Sequence, residues 1–380
     1  MLAAMITRQL FLEGRWQSGA RTVVIKNPYN QAPVGEVQFA GPEHMERALA
    51  FAAARSADLA RVPLHRRAET LQQIAAVLER RMAEIADAIC AEAGKPIALA
   101  KAEAQRGVET FIAAAAHTRV PEGESVALDA LPRGEGRFGI VRRFPIGPVA
   151  AISPFNFPLN LAAHKVAPGI AAGCPIILKP ASQTPLTAVI LAEACQEAGL
   201  IEGGLQVLPC GRQEADVLVT DERIRLLSFT GSPSVGWDMK ARSGKKRVVL
   251  ELGGNAGVLI MPDADLDFAA DGVVSLLTSL NGQWCRALGR LIVHESVQAA
   301  LLERVFDRLN TLKLGDSCDL STQLGPMSHS RHLAKLRGQI AQLEAAGGTA
   351  HRAGKLPDLS GHFLQPTLIT GGDPRAAQEE

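Results

Sequence analysis

Six cysteines are scattered through 380 residues, and Cys285 stands in Ser-Leu-Asn-Gly-Gln-Trp-Cys-Arg, a glycine-containing turn ahead of the apolar run Arg-Leu-Ile-Val-His. A thiol at such a turn can attack a substrate or fill space as a small hydrophobe, and the placement alone favours neither. Cys90, Cys174, Cys195, Cys210 and Cys318 read as buried hydrophobes. Glu251 closes Arg-Val-Val-Leu-Glu ahead of Leu-Gly-Gly. A carboxylate there is a desolvated base or, more commonly, a strand-terminal charge facing water. Asn156, flanked by phenylalanines, offers an amide donor, although asparagines in such turns usually serve local backbone. Lys179 ends Pro-Ile-Ile-Leu-Lys, at the carboxyl edge where an open parallel sheet gathers ligands. In Phe-Thr-Gly-Ser-Pro at 229–233, Ser232 suits a helix N-cap and Pro233 the first helical position. The free N–H groups beyond Gly231 then form a pyrophosphate cradle, or simply a well-capped helix. The cysteines show no paired metal spacing, and no metal is expected.

The elements that must hold these residues follow from periodicity. Residues 46–118 read as three Ala-rich helices, with Leu71, Ile74, Val77, Leu78, Met82, Ile85 and Ile89 at helical spacing and Gly94 and Pro96 stopping the second. The glycine-punctuated stretch 122–143 predicts a projecting hairpin. Beyond Gly147, apolar runs (VAAIS, PIILK, LQVLP, RLLSF) alternate with helical stretches, and a second series (VVLEL, AGVLI, RLIVH) starts at Arg247. That alternation predicts an α/β fold: a Rossmann-like parallel sheet and a second α/β unit. No internal repeat or low-complexity tract interrupts it.

Composition narrows the partners. Lysine plus arginine number 40 against 39 aspartate plus glutamate, so the charge of +1 gives no basic face for nucleic acid. The longest uncharged stretch, 144–164, holds four prolines and two asparagines, which argues against a membrane span. The N-terminus meets charge before any signal-like apolar run, and the sparse cysteines suit a reducing cytoplasm.

Taken in order, the motifs resemble the aldehyde dehydrogenase superfamily: Ser-Pro-Phe-Asn-Phe-Pro at 153–158, Lys179-Pro180 with Thr184-Pro185, Phe-Thr-Gly-Ser at 229–232, Glu-Leu-Gly-Gly at 251–254, and Gly282-Gln283 with Cys285. The separation of 34 positions between Glu251 and Cys285 is also family-like. The likeness runs from Leu-Phe-Leu-Glu-Gly-Arg-Trp at 10–16 and Asn27-Pro28 to the last residues.

The resemblance implies oxidation of a small-molecule aldehyde to an acid with NAD or NADP. By it, Cys285 is the nucleophile, Asn156 and the Cys285 backbone N–H hold the oxyanion, Glu251 activates water, and Lys165 matches a lysine sometimes given a proton-relay role. Lys179 and Ser182 would contact the adenosine ribose, Phe155, Gly231 and Ser232 the pyrophosphate, and Glu380 the nicotinamide ribose. Many NAD-preferring relatives carry glutamate where Ser182 stands, so its neutrality leaves NADP open. The implied division is a cofactor-binding domain at 1–254, bearing an assembly hairpin near 122–143, and a thiol domain at 255–380. The complete protein is expected to form a homodimer or homotetramer. In the family a Glu-Glu pair is followed by Phe-Gly-Pro and a long further portion, so a chain ending at Glu379-Glu380 is expected to be C-terminally truncated. Three rivals stand beside this reading. A cysteine hydrolase would need a base such as His294 near the thiol. A CoA-acylating dehydrogenase would typically lack Glu251. A truncated, silent member would bind nucleotide without turnover.

Overall fold

Apolar runs without alternation become strands buried on both faces, and this happens in the middle of the chain. The structure, a computed structural model, describes residues 7–120, 123–356, 358, 361–373 and 376. Its strands and helices begin with β1 (Thr7–Arg8), β2 (Leu10–Leu12), β3 (Arg15–Gln17), β4 (Arg21–Lys26) and β5 (Pro33–Phe39). Helices α1 (Pro42–Ala60), α2 (Leu64–Arg80), α3 (Met82–Ala93) and α4 (Ile97–Thr118) follow, then the strands β6 (Gly123–Val126) and β7 (Gly139–Arg142). The alternating region runs β8 (Val149–Ile152), α5 (Asn160–Ala172), β9 (Ile176–Lys179), α6 (Leu186–Glu197), β10 (Leu205–Val207), α7 (Arg212–Thr220), β11 (Leu226–Gly231), α8 (Pro233–Arg242) and β12 (Arg247–Leu252). The rest comprises β13 (Ala256–Ile260), α9 (Leu266–Thr278), β14 (Leu288–Val293), α10 (Glu295–Asn310), α11 (Ser330–Ala345), β15 (Gly348–Arg352) and β16 (Thr367–Gly371).

The main sheet has the order β12-β11-β8-β9-β10-β2-β3, with its first five strands parallel. Ala151 and Leu178 face a core shared with α2 to α6, whereas Ala150, Ile152 and Ile177 face one shared with α1, α7 and α8. The two-residue period of the strands thus splits one apolar run between two helix layers. Two antiparallel strands, β2 and β3, extend the expected parallel sheet. They are joined by Glu13 (φ 54) and Gly14 (φ 72), the paired left-handed residues of a tight hairpin turn. β13 and β14 form a separate parallel pair packed with α9 and α10.

Two expectations need correcting: Cys318, expected to be buried, is exposed, and four helices, not three, occupy the early region. The chain leaves helical geometry only at Arg81 (φ −99, ψ 10), whose guanidinium bonds Glu84 and Glu193. The apolar spacing carries on in phase across that single residue, so periodicity does not register the break. Gly94 ends α3 in left-handed geometry (φ 68), as expected of a glycine stop. β6 and β7 pair antiparallel over Gly123–Val126 and Gly139–Arg142, the core of the expected hairpin; Glu122 lies outside the described residues. Among the described residues no helix is long and apolar enough to cross a membrane.

Candidate active site

Parallel strands place their carboxyl ends on one edge, and that edge collects most of the candidates. Ile152 pairs with Lys179 and with Phe229, and Thr230 pairs with Glu251. The β8–α5 loop with Phe155 and Asn156, the end of β9 with Lys179, the β11–α8 turn with Gly231 and Ser232, and the end of β12 with Glu251 therefore lie side by side. Ser232 is the N-cap of α8 and Pro233 its first residue, but the serine side chain makes no capping bond and stays exposed. A Cβ at Gly231 would come 2.5 Å from the tip of the Phe229 ring, so a larger residue there would have to push that ring aside.

The thiol turn reaches the same edge from the second unit. Leu280 (φ 54), Asn281 (φ 57) and Gly282 (φ 72) are three successive left-handed residues before Gln283. Glycine bears this freely, whereas leucine in that region costs about 1–3 kcal/mol and must be held there by its surroundings. The Asn281 amide donates to the Pro326 carbonyl at 2.6 Å, and the Gln283 side-chain oxygen accepts from Ser328 N at 3.1 Å and Ser328 Oγ at 3.0 Å. The Asn156 Nδ2 donates to the Gln283 carbonyl at 2.8 Å. A Cβ at Gly254 would meet the Cys285 carbonyl at 3.2 Å. The turn bearing exposed Cys285 is thus wedged between the Asn156 loop and the glycines that follow exposed Glu251. An amide nitrogen carries two hydrogens, and the bond to Gln283 uses one while fixing the direction of the other.

Among the candidate site residues, electrostatics singles out two lysines. Burial pushes the Lys165 ammonium down to about 8, opposed by the charge of Glu251, and its Nζ donates to Ser228 Oγ at 2.9 Å. Burial also lowers Lys179, as does Arg331, while Cys210 and Glu214 oppose the shift. Ser182 is exposed and its hydroxyl donates to the Cys210 carbonyl at 3.0 Å. An ammonium and a hydroxyl at the sheet edge beside the free N–H groups of a helix are a donor set that fits the ribose and phosphates of a dinucleotide.

Sequence reasoning missed a polar chain linking the cofactor edge to the thiol turn. Arg331 donates to Gln183 Oε1 at 2.9 Å, and Gln183 Nε2 donates to Ser328 Oγ at 3.2 Å, which in turn reaches Gln283. His332 packs on Phe155 with centroids 4.6 Å apart, and burial lowers its imidazole to about 4. These contacts join residues far apart in the chain, and no local signal marks them. Arg286 lies over the Trp284 ring at 4.9 Å. His294 caps α10, with Nδ1 2.9 Å from Ser296 Oγ, a structural use that gives no support to a hydrolase base. Glu380 lies outside the described residues.

Comparison with known proteins bears on the family and the fold. The profile of the aldehyde dehydrogenase family matches residues 16–380. A 3-sulfolactaldehyde dehydrogenase of Priestia aryabhattai is 32% identical over 362 residues, covering 95% of this chain and 75% of that protein. Aldehyde dehydrogenase 21 of Physcomitrella patens, solved in complex with the reaction product succinate, gives a TM-score of 0.93 at 37% identity, covering 100% of this chain and 79% of that one. Betaine aldehyde dehydrogenase of Staphylococcus aureus, solved in complex with NAD+, gives 0.93 at 28% identity over 98% of this chain and 76% of that one. With sequence and fold matched over nearly all its length, the chain belongs to the aldehyde dehydrogenase family and is an NAD(P)-dependent enzyme that oxidises aldehydes to acids.

Proposed function

We propose that Cys285 attacks the aldehyde carbonyl and that the second amide hydrogen of Asn156, with the Cys285 backbone N–H, receives the oxyanion that forms. Bound NAD(P)+ supplies the hydride acceptor. Glu251, beside the turn that touches Cys285, then takes a proton from the water that cleaves the thioester. Lys165 lies close enough to Glu251 for its charge to matter and, in its neutral form, accepts that proton from Glu251. Lys179 and Ser182 hold the adenosine ribose, and Phe155, Gly231 and Ser232 flank the pyrophosphate. Glu380 is assigned to the nicotinamide ribose on its motif alone. Residues 1–254 then form the cofactor domain and 255–380 the thiol domain. The hairpin around 123–142 exposes Phe138, Ile140 and nearby Phe144, apolar surface suited to assembly into a homodimer or homotetramer. Six free thiols suit a reducing cytoplasm.

The observation that carries this reading is the bond from Asn156 to the Gln283 carbonyl, which ties the amide donor to the turn bearing the thiol. Cys285→Ala tests it: reduced-cofactor formation from aldehydes should vanish while dinucleotide binding persists. Continued aldehyde oxidation by that variant refutes the assignment.

A further inference from the structure

Lys95 and Glu103 are each 1% exposed and pair with one another in the interior. Such a pair is costly to desolvate and is weak grounds for stability, so what it holds matters more. Glu103 Oε1 accepts the backbone N–H groups of Leu159 and Asn160 at 3.0 and 3.1 Å, donors that the start of α5 leaves free. Its other oxygen meets Lys95, whose Nζ also lies 4.0 Å from the centre of the Phe157 ring. The same face of α4 continues at Gly107, where a Cβ would come 2.4 Å from Leu159 Cδ2. One turn on, the Thr110 hydroxyl donates to Asn160 Oδ1 at 3.2 Å. Residues 157, 159 and 160 are thereby pinned directly behind Asn156.

The linker that carries Lys95 grips the thiol side as well. The Gly94 carbonyl accepts from Ser317 Oγ at 2.7 Å, and Ile97 N donates to the Ser317 carbonyl at 2.9 Å. Gly94 is left-handed, and a Cβ there would come 3.1 Å from Pro326, whose carbonyl holds Asn281 in the turn before Cys285. One short linker thus braces both the loop carrying the amide and the turn carrying the thiol.

We propose that Lys95 and Glu103 are a positioning pair that sets the Asn156 amide against the oxyanion formed at Cys285, acting through Phe157, Leu159 and Asn160. This rests on the reading of Asn156 and Cys285 given above. The test compares acylation of Cys285 by p-nitrophenyl acetate, which passes through an oxyanion, with its alkylation by iodoacetamide, which does not. In Glu103→Gln, acylation should slow by about tenfold to a hundredfold, with alkylation and dinucleotide binding at wild-type values. Adding Asn156→Ala should then cost little more, because both changes remove one interaction. Lys95→Arg, which keeps a cation in a larger group, gives the same pattern should Glu103→Gln not fold. Unchanged acylation, a parallel fall in alkylation, or losses that multiply in full with Asn156→Ala overturn the proposal. Amide hydrogen exchange at Leu159 and Asn160 should accelerate in Glu103→Gln, and unaltered protection overturns it too. If wild-type Cys285 is not acylated, the reading of function falls, while exchange at these two amides still decides whether the pair holds the segment.

Discussion

Lys165→Met should stabilise the protein at neutral pH while slowing it. Lys165 is 7% exposed, and burial brings its ammonium from 10.5 to about 8. At about 1.4 kcal/mol per unit, keeping that cation inside costs on the order of 3 kcal/mol below pH 8. The sign follows from linkage: a base whose folded value lies below its unfolded one carries no penalty above about 10.5, and the penalty grows as pH falls from there to about 8, below which it is fully present. Methionine is similar in length and never charged, so it escapes the penalty. It forfeits the hydrogen bond to Ser228 at 2.9 Å, worth about 1 kcal/mol. The net expectation is a gain of about 2 kcal/mol at pH 7 that shrinks as the pH rises above about 8 and reverses near pH 10. Denaturant midpoints of both proteins across that range measure it. In parallel, about a tenth of wild-type Lys165 is neutral at pH 7 and about nine-tenths at pH 9, so the steady-state rate should carry a limb near pH 8 that methionine abolishes. A variant no more stable than wild type at pH 7, or a stability difference indifferent to pH, would refute the argument that burial sets this lysine's proton affinity. Stability gained together with turnover lost marks a residue kept for its chemistry.

Glu251→Gln should release a burst of reduced cofactor and then turn over about a hundredfold more slowly, with the acyl group trapped on Cys285 by mass spectrometry; an untouched steady-state rate and no adduct remove Glu251 from the role of base. Ser182→Glu should lower the ratio of kcat/KM for NADP to that for NAD by about tenfold, since a carboxylate repels a 2′-phosphate; an unchanged ratio means that position 182 does not face the ribose. A charged alkylating reagent acting on the native protein should label Cys285 and Cys318, which are exposed, ahead of Cys90, Cys174, Cys195 and Cys210. Early labelling at any of those four buried thiols contradicts the packing around them.

What could be read without a structure follows from what each residue does to its local pattern. The strands β8 to β12 were legible because short runs, three to six residues long and mostly apolar, between helical stretches admit few other structures. Arg81 was not, because a single residue outside helical geometry leaves the apolar stripe in phase. Asn156, Lys179, Gly231 and Glu251 stood out because they end or interrupt such runs, and strand ends are where a parallel sheet meets its ligands. The left-handed turn at Leu280 and Asn281 leaves no mark in sequence beyond the Asn-Gly pair, since leucine is a residue that geometry disfavours.

The charged residues inside the helices carried a signal that periodicity alone passes over. Ala100, Glu103, Ala104, Gly107, Val108 and Phe111 form one buried stripe of α4, and a carboxylate in that phase must find donors or be neutralised. Glu103 found the free N–H groups of α5, and Glu92, in the buried phase of α3, found those of α6 at Leu186 and Thr187. Lys165 occupies the same kind of position between Ala162, Val166 and Gly169, but its partner is one serine hydroxyl and a nearby charge, and its proton affinity falls accordingly. Burial shifts both Glu92, up to about 7, and Lys165, down to about 8, toward their neutral forms; what differs is the number of partners opposite them. Charges that meet several donors or acceptors tie one element to another, as Glu103 and Glu92 do, whereas Lys165, with one hydroxyl and a nearby charge, ties little and is left with a proton that burial makes easier to give away.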